Sequence, residues 1–107
     1  MADPARMCLY GFSNGSTVVH ELVTRTSRFR CAVSVSPVLT NVLRPALLNP
    51  EFSAHQLGLG TVDSAVYDYI ALSPVFRLSR VTTPMLIAVG DRDVESLLDA
   101  IELFNGL

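Results

Sequence analysis

The most constraining feature of this chain is the segment LYGFSNGSTVV, residues 9–19, where a serine stands between two glycines after a short apolar run. The pattern changes period across that point. Upstream, Arg6 to Tyr10 is a short, nearly continuous apolar run that stops at Gly11, which suits a strand covered on both faces. Downstream, Val18, Val19, Leu22 and Val23 recur at helical spacing, so residues 15 to about 27 read as an amphipathic helix. A strand, a glycine-flanked serine and a helix in immediate succession leave few options for the turn between them. If the turn is tight, the residues two before and two after Ser13 come into near contact, where a Cβ would clash, and the serine is held strained with Oγ exposed. The bland alternative is a Gly/Ser/Asn turn that caps a helix.

The rest of the chain repeats the alternation. Cys31 to Val35 reads as a second buried strand, and Pro84 to Gly90 as a third, with its core at Met85 to Val89. Val94, Leu97, Leu98, Ile101 and Phe104 then form the apolar stripe of a closing helix. Between residues 36 and 80 the pattern weakens. Pro37, Pro45, Pro50 and Pro74 punctuate it, and Gly58 to Gly60 marks a turn between short helical pieces, so this part reads as an excursion over one end of the sheet. Strand, helix, strand, excursion, strand, helix predicts an α/β fold: a parallel sheet, three strands side by side, with covering helices.

Composition limits the function classes. With 107 residues, half of them hydrophobic, the chain has the apolar side chains for a modest core. Eight basic residues, scattered along a chain of net charge −2, argue against nucleic acid or an anionic membrane surface as the main partner. No apolar run approaches the ~20 residues of a membrane span, and MADPARM lacks the basic-then-apolar order of a signal peptide. The sequence leaves a soluble chain, cytoplasmic or periplasmic, with any upstream signal outside it. Cys8 and Cys31 sit inside strand-like runs and read as free cysteines serving as small hydrophobes.

Gly11-Phe12-Ser13-Asn14-Gly15 matches GxSxG, the nucleophile elbow of α/β-hydrolases, including the strand before and the helix after. In that reading Ser13 is the nucleophile and the N–H of Asn14, at a helix start, helps stabilise an oxyanion. The stretch DPARMCLYGFSNGSTVV…TRTSRFRCAVSVSPV, together with LSPVFRLSRVTTPMLIAVGDRD, resembles the hydrolase domain of the prolyl oligopeptidase family of serine peptidases. Two positions depart from its pattern: Ser16 stands where members often carry another glycine, and the stretch after Asp93 is short and acidic. A subset resembling lasso-peptide isopeptidases shows such a turn.

The resemblance implies that residues 1–107 are part of a peptidase catalytic domain, a partial α/β-hydrolase fold with a lid-like excursion at about 37–80. The expected activity is hydrolysis of a peptide substrate through a Ser-Asp-His triad, without metal or organic cofactor. A carboxylesterase and a non-catalytic hydrolase-like binding fragment are the alternatives. Asp93, at the carboxyl end of the third strand, is the expected acid, with Asp91 its near rival. The base is missing. The chain order of this fold places the histidine after the acid, and none follows Asp93. His20 lies seven residues beyond Ser13 on the same helix, roughly 10 Å away along its axis, and reads as a half-buried helix side chain. His55 reads as a surface or capping residue. The expected histidine therefore lies beyond Leu107, and the 107 residues alone are expected to show little triad-dependent activity.

Overall fold

The computed structural model describes residues 3–107, Phe52 and Ser53 by backbone alone. The chain runs β1 (Cys8–Phe12), α1 (Asn14–Arg25), β2 (Cys31–Val35), α2 (Leu43–Leu48), α3 (Pro50–Leu57), α4 (Val62–Leu72), a 3-10 helix (Pro74–Arg80), β3 (Met85–Ala88) and α5 (Val94–Gly106). The strands form one parallel sheet in the order β1-β2-β3, with Tyr10 opposite Val33 and Val33 opposite Leu86. This is the α/β architecture that the alternating periods predict.

The core beside the elbow lies between α1 and one sheet face. Val19, Val23 and Ala32 are buried, and Leu9, Val81 and Met85 pack against them. The opposite face is not covered by any described residue: Tyr10 is 70% exposed, Phe12 60% and Leu86 62%. The expectation of strands buried on both faces therefore holds for one face only. Apolar residues do point both ways along β1, but α1 can pack on only one side of it.

Two further expectations are corrected. Cys8 and Cys31 are not free: they form a disulfide. Parallel pairing sets Cys8 directly opposite Cys31 with their Cα atoms 4.7 Å apart, which lies within bonding reach. The predicted stripe of α5 is also rotated outward. Val94, Leu98, Ile101 and Phe104 are exposed, while Ser96, Asp99, Ala100 and Leu103 are buried. Asp99 can occupy the inner face because its Oδ1 accepts from the Thr40 N–H there, and Ser96 is small, with its backbone N–H capped by Asp93 Oδ1.

The excursion has its own small core. Val42, Ala46 and Tyr69 are buried and packed by Leu39, Leu43, Leu57, Leu59 and Val62. Buried polar groups fasten it: the Thr40 N–H donates to Asp99 Oδ1 of α5 (2.7 Å), and within the excursion the Val42 N–H donates to Ser73 Oγ (2.9 Å). No helix among the described residues is long and apolar enough to cross a membrane.

Candidate active site

Ser13 occupies the one residue between β1 and α1, with φ 53° and ψ −122°. A positive φ in a non-glycine residue costs of order 1–3 kcal/mol, so the surroundings must enforce it. They do so through the backbone. The Ser13 N–H donates to the Val35 carbonyl at 3.0 Å, extending the β1–β2 ladder by one residue, and its carbonyl accepts from the Ser16 N–H at 2.8 Å. The turn is also closed sterically. A Cβ on Gly11 would collide with the carbonyl of Gly15 and come within 2.7 Å of Val19 Cγ2, whereas one on Gly15 would meet open space. Only the first glycine of the motif is thus required by contact.

Ser16, the departure from the usual glycine, contributes to the turn. Its hydroxyl donates to the Ser13 carbonyl (2.5 Å) and accepts from the Val38 N–H (3.1 Å), joining the elbow to the loop after β2. Thr17 adds a bond to the Val38 carbonyl at 3.1 Å. That loop contains two further positive-φ residues, Ser36 (44°) and Leu39 (55°).

Ser13 Oγ makes no hydrogen bond among the described residues, and Asn14 is exposed at the first position of α1. First-turn N–H groups lack intrahelical acceptors, so that of Asn14 is free to donate outward. Parallel pairing puts the carboxyl ends of β1 and β3 on one sheet edge, one strand apart, so the turns bearing Ser13 and Asp93 open on the same edge. Two interstrand spacings are roughly 10 Å. Asp93 is half-buried and caps α5, its Oδ1 accepting from the Ser96 N–H at 3.2 Å. Asp91 is exposed in the preceding turn.

Neither histidine adjoins Ser13 by a hydrogen bond. His55 is exposed on the last turn of α3. His20 is not half-buried as expected but completely buried, with Nε2 2.8 Å from Ser34 Oγ and Nδ1 3.2 Å from Thr40 Oγ1. Burial alone pushes its pKa down to about 4. Thr40 in turn reaches Asp99, which Arg44 pairs at 2.5 Å while also reaching Glu102 at 2.9 Å. Burial pushes the Asp99 carboxyl up, against the pull of Arg44. This network was not legible in advance; its sequence trace is the polar pair His20 and Asp99 on helix faces that turn inward.

A cavity of about 570 Å³ lies beside the start of α5, walled by Leu39, Arg44, Pro45 and Leu48 of the excursion and by Val94 and Leu98. Among the described residues, no group of three or more His, Cys, Asp or Glu side chains stands where it could hold a metal ion.

The model of the prolyl oligopeptidase family matches residues 1–105. A lasso peptide isopeptidase of Asticcacaulis excentricus is 32% identical over 98% of this chain, which spans 15% of the length of that relative. Among solved structures, an acylaminoacyl peptidase of Pyrococcus horikoshii superposes with a TM-score of 0.71 at 20% identity, over 97% of this chain and 18% of its own. A puromycin hydrolase superposes with a TM-score of 0.68 at 23% identity, over 94% of this chain and 16% of its own. At these identities the structural likeness speaks to fold alone, a parallel sheet with covering helices.

Proposed function

The chain belongs to the prolyl oligopeptidase family, and from that premise we propose that it carries the nucleophile, one oxyanion donor and the acid of a serine peptidase site. The observation that carries the reading is the strained Ser13, held at φ 53° between β1 and α1 with its hydroxyl unbonded. In the proposed reaction Ser13 Oγ attacks an amide carbonyl as its proton passes to the histidine base, and the Asn14 N–H stabilises the oxyanion. Collapse breaks the C–N bond and expels the amine protonated by that histidine, and water then hydrolyses the acyl-enzyme ester. Asp93 orients the histidine that takes the serine proton. Its Oδ1 serves the α5 cap, so Oδ2 is the atom left for that histidine.

His20 is committed to Ser34 and Thr40, and His55 is exposed without a bond to the elbow, so we assign the base to a histidine outside these 107 residues. The excursion at 37–80 acts as a lid-like wall, and the cavity it forms with α5 receives an apolar part of the substrate. An amide-bond substrate agrees with the name of the lasso peptide isopeptidase relative. The disulfide fits folding in an oxidising compartment, which favours the periplasm over the cytoplasm.

The test treats the purified chain, and the longer polypeptide that contains it, with a fluorophosphonate probe and a peptide substrate. Labelling and peptide cleavage by the longer polypeptide, both lost in Ser13→Ala, with little of either by the 107 residues alone, is the expected result. Labelling of the longer polypeptide that survives Ser13→Ala refutes the nucleophile. Cleavage of esters but not amides refutes the peptidase assignment.

A further inference from the structure

All eight basic residues of the chain are arginines, and although they are scattered in sequence the fold gathers most of them. In a parallel sheet every segment that enters a strand arrives at the same edge. Arg6 precedes β1; Arg25, Arg28 and Arg30 lie at the end of α1 and before β2; Arg77 and Arg80 end the 3-10 helix that leads to β3. Six of the eight thus meet at the edge opposite Ser13, accompanied in those segments by the carboxylates of Asp3 and Glu21 alone.

At this pole lies a cleft of about 590 Å³ lined by Arg25, Arg77, Arg80, Thr26, Ser27 and Thr82. One carboxylate, Glu21, serves two of the three arginines: its Oε2 accepts from Arg25 Nε and its Oε1 from Arg77 NH2, each at 2.5 Å. Arg25 keeps its two terminal nitrogens outside that pair, and the Arg80 side chain makes no hydrogen bond or ion pair among the described residues. The cations also face the carbonyl end of α1, which offsets part of their charge. Three guanidinium groups against one carboxylate still leave a positive wall with donors to spare. Hydroxyls of Thr26, Ser27 and Thr82 add short-range donors beside them.

We infer that this cleft binds a phosphate group of a small molecule, at a site separate from the elbow and independent of the peptidase reading. A carboxylate offers two oxygens in one plane, whereas a terminal phosphate offers three around a tetrahedron and can take forks from more than one guanidinium at once. The cleft presents its arginines from two elements, α1 and the 3-10 helix, and so suits the tetrahedral anion.

The experiment titrates the oxidised 107-residue chain with pyrophosphate at fixed ionic strength and follows amide chemical shifts. Saturable shifts confined to residues 24–27 and 77–82 are expected. Arg80→Gln, which removes no hydrogen bond or ion pair among the described residues, weakens the apparent affinity about tenfold, the loss of one charge-assisted fork. Arg92→Gln, at the other sheet edge, leaves it unchanged. Shifts that grow linearly without saturation, or an Arg25→Gln/Arg80→Gln double variant that binds as before, overturn the site. Citrate binding as tightly as pyrophosphate overturns the phosphate assignment, and an oligothymidylate binding far tighter per phosphate replaces the small molecule with a nucleic acid.

Discussion

Lowering the pH from 7 to 4 should cost this chain about 3 kcal/mol of stability through His20 alone. The ring is completely buried and burial holds its pKa at about 4, against 6.5 in the unfolded chain. Between those values the unfolded state binds the proton and the folded state does not, so stability rises with pH. The contribution is therefore full above pH 6.5 and is lost progressively as pH falls to about 4. A shift from 6.5 to about 4 at ~1.4 kcal/mol per unit is worth about 3.5 kcal/mol in full, of which about 3 is lost by pH 4, where the folded ring is half protonated. Asp99 works in the opposite sense, because a carboxyl raised by burial loses its penalty as it protonates. Comparing the parent with His20→Asn at each pH cancels that term, since Asp99 is present in both. Urea denaturation of both proteins between pH 4 and 7 is the assay, with the His20 ring followed by proton NMR. A parent and variant with parallel stability curves over that range, or a His20 ring that titrates near 6.5, would refute the reasoning.

Three other outcomes follow from the packing. Gly11→Ala forces a Cβ into the Gly15 carbonyl and within 2.7 Å of Val19 Cγ2, so it should lower stability by roughly 3 kcal/mol or more in a denaturant melt, while Gly15→Ala, facing open space, stays within about 1 kcal/mol. Reducing the disulfide, which links residues 23 apart, removes a constraint on the unfolded chain worth about 3 kcal/mol, measured as a shift in the melt with and without dithiol; thiol titration should find no free thiol before reduction and two after. Asp99→Ala leaves the buried Thr40 N–H without its acceptor and Arg44 with Glu102 as its remaining partner, and should cost about 1–3 kcal/mol, whereas Arg92→Ala, on an exposed turn, should change stability by less than ~0.5 kcal/mol.

The sheet was legible because strand and helix differ in period. The switch at Gly11 and the stops at Gly11 and Gly90 located β1, α1 and β3 within a few residues. The elbow was legible because one short motif sits where its strand and helix require it. Three things were hidden for physical reasons. Strand register is a property of pairs, so nothing local to Cys8 or Cys31 announced that they face each other. The outward turn of α5 depends on Asp99 finding partners 59 and 55 residues away in sequence, Thr40 and Arg44, which a stripe of apolar residues cannot reveal. The arginine pole arises from parallel topology, which gathers distant segments at one edge; a count along the chain sees only scatter.

The Cys8–Cys31 bond also makes the segment that bears Ser13 a closed covalent ring: everything from Leu9 to Arg30, the elbow and the whole of α1, lies between the two sulfurs. The exposed stretch Thr26–Arg28, with arginines at 25, 28 and 30, is the natural place for a trypsin-like protease to cut that ring. One such cut opens the circle without dividing the molecule. Ser13 stays tethered to both strands, and the nicked chain keeps its mass until a reductant releases the pieces.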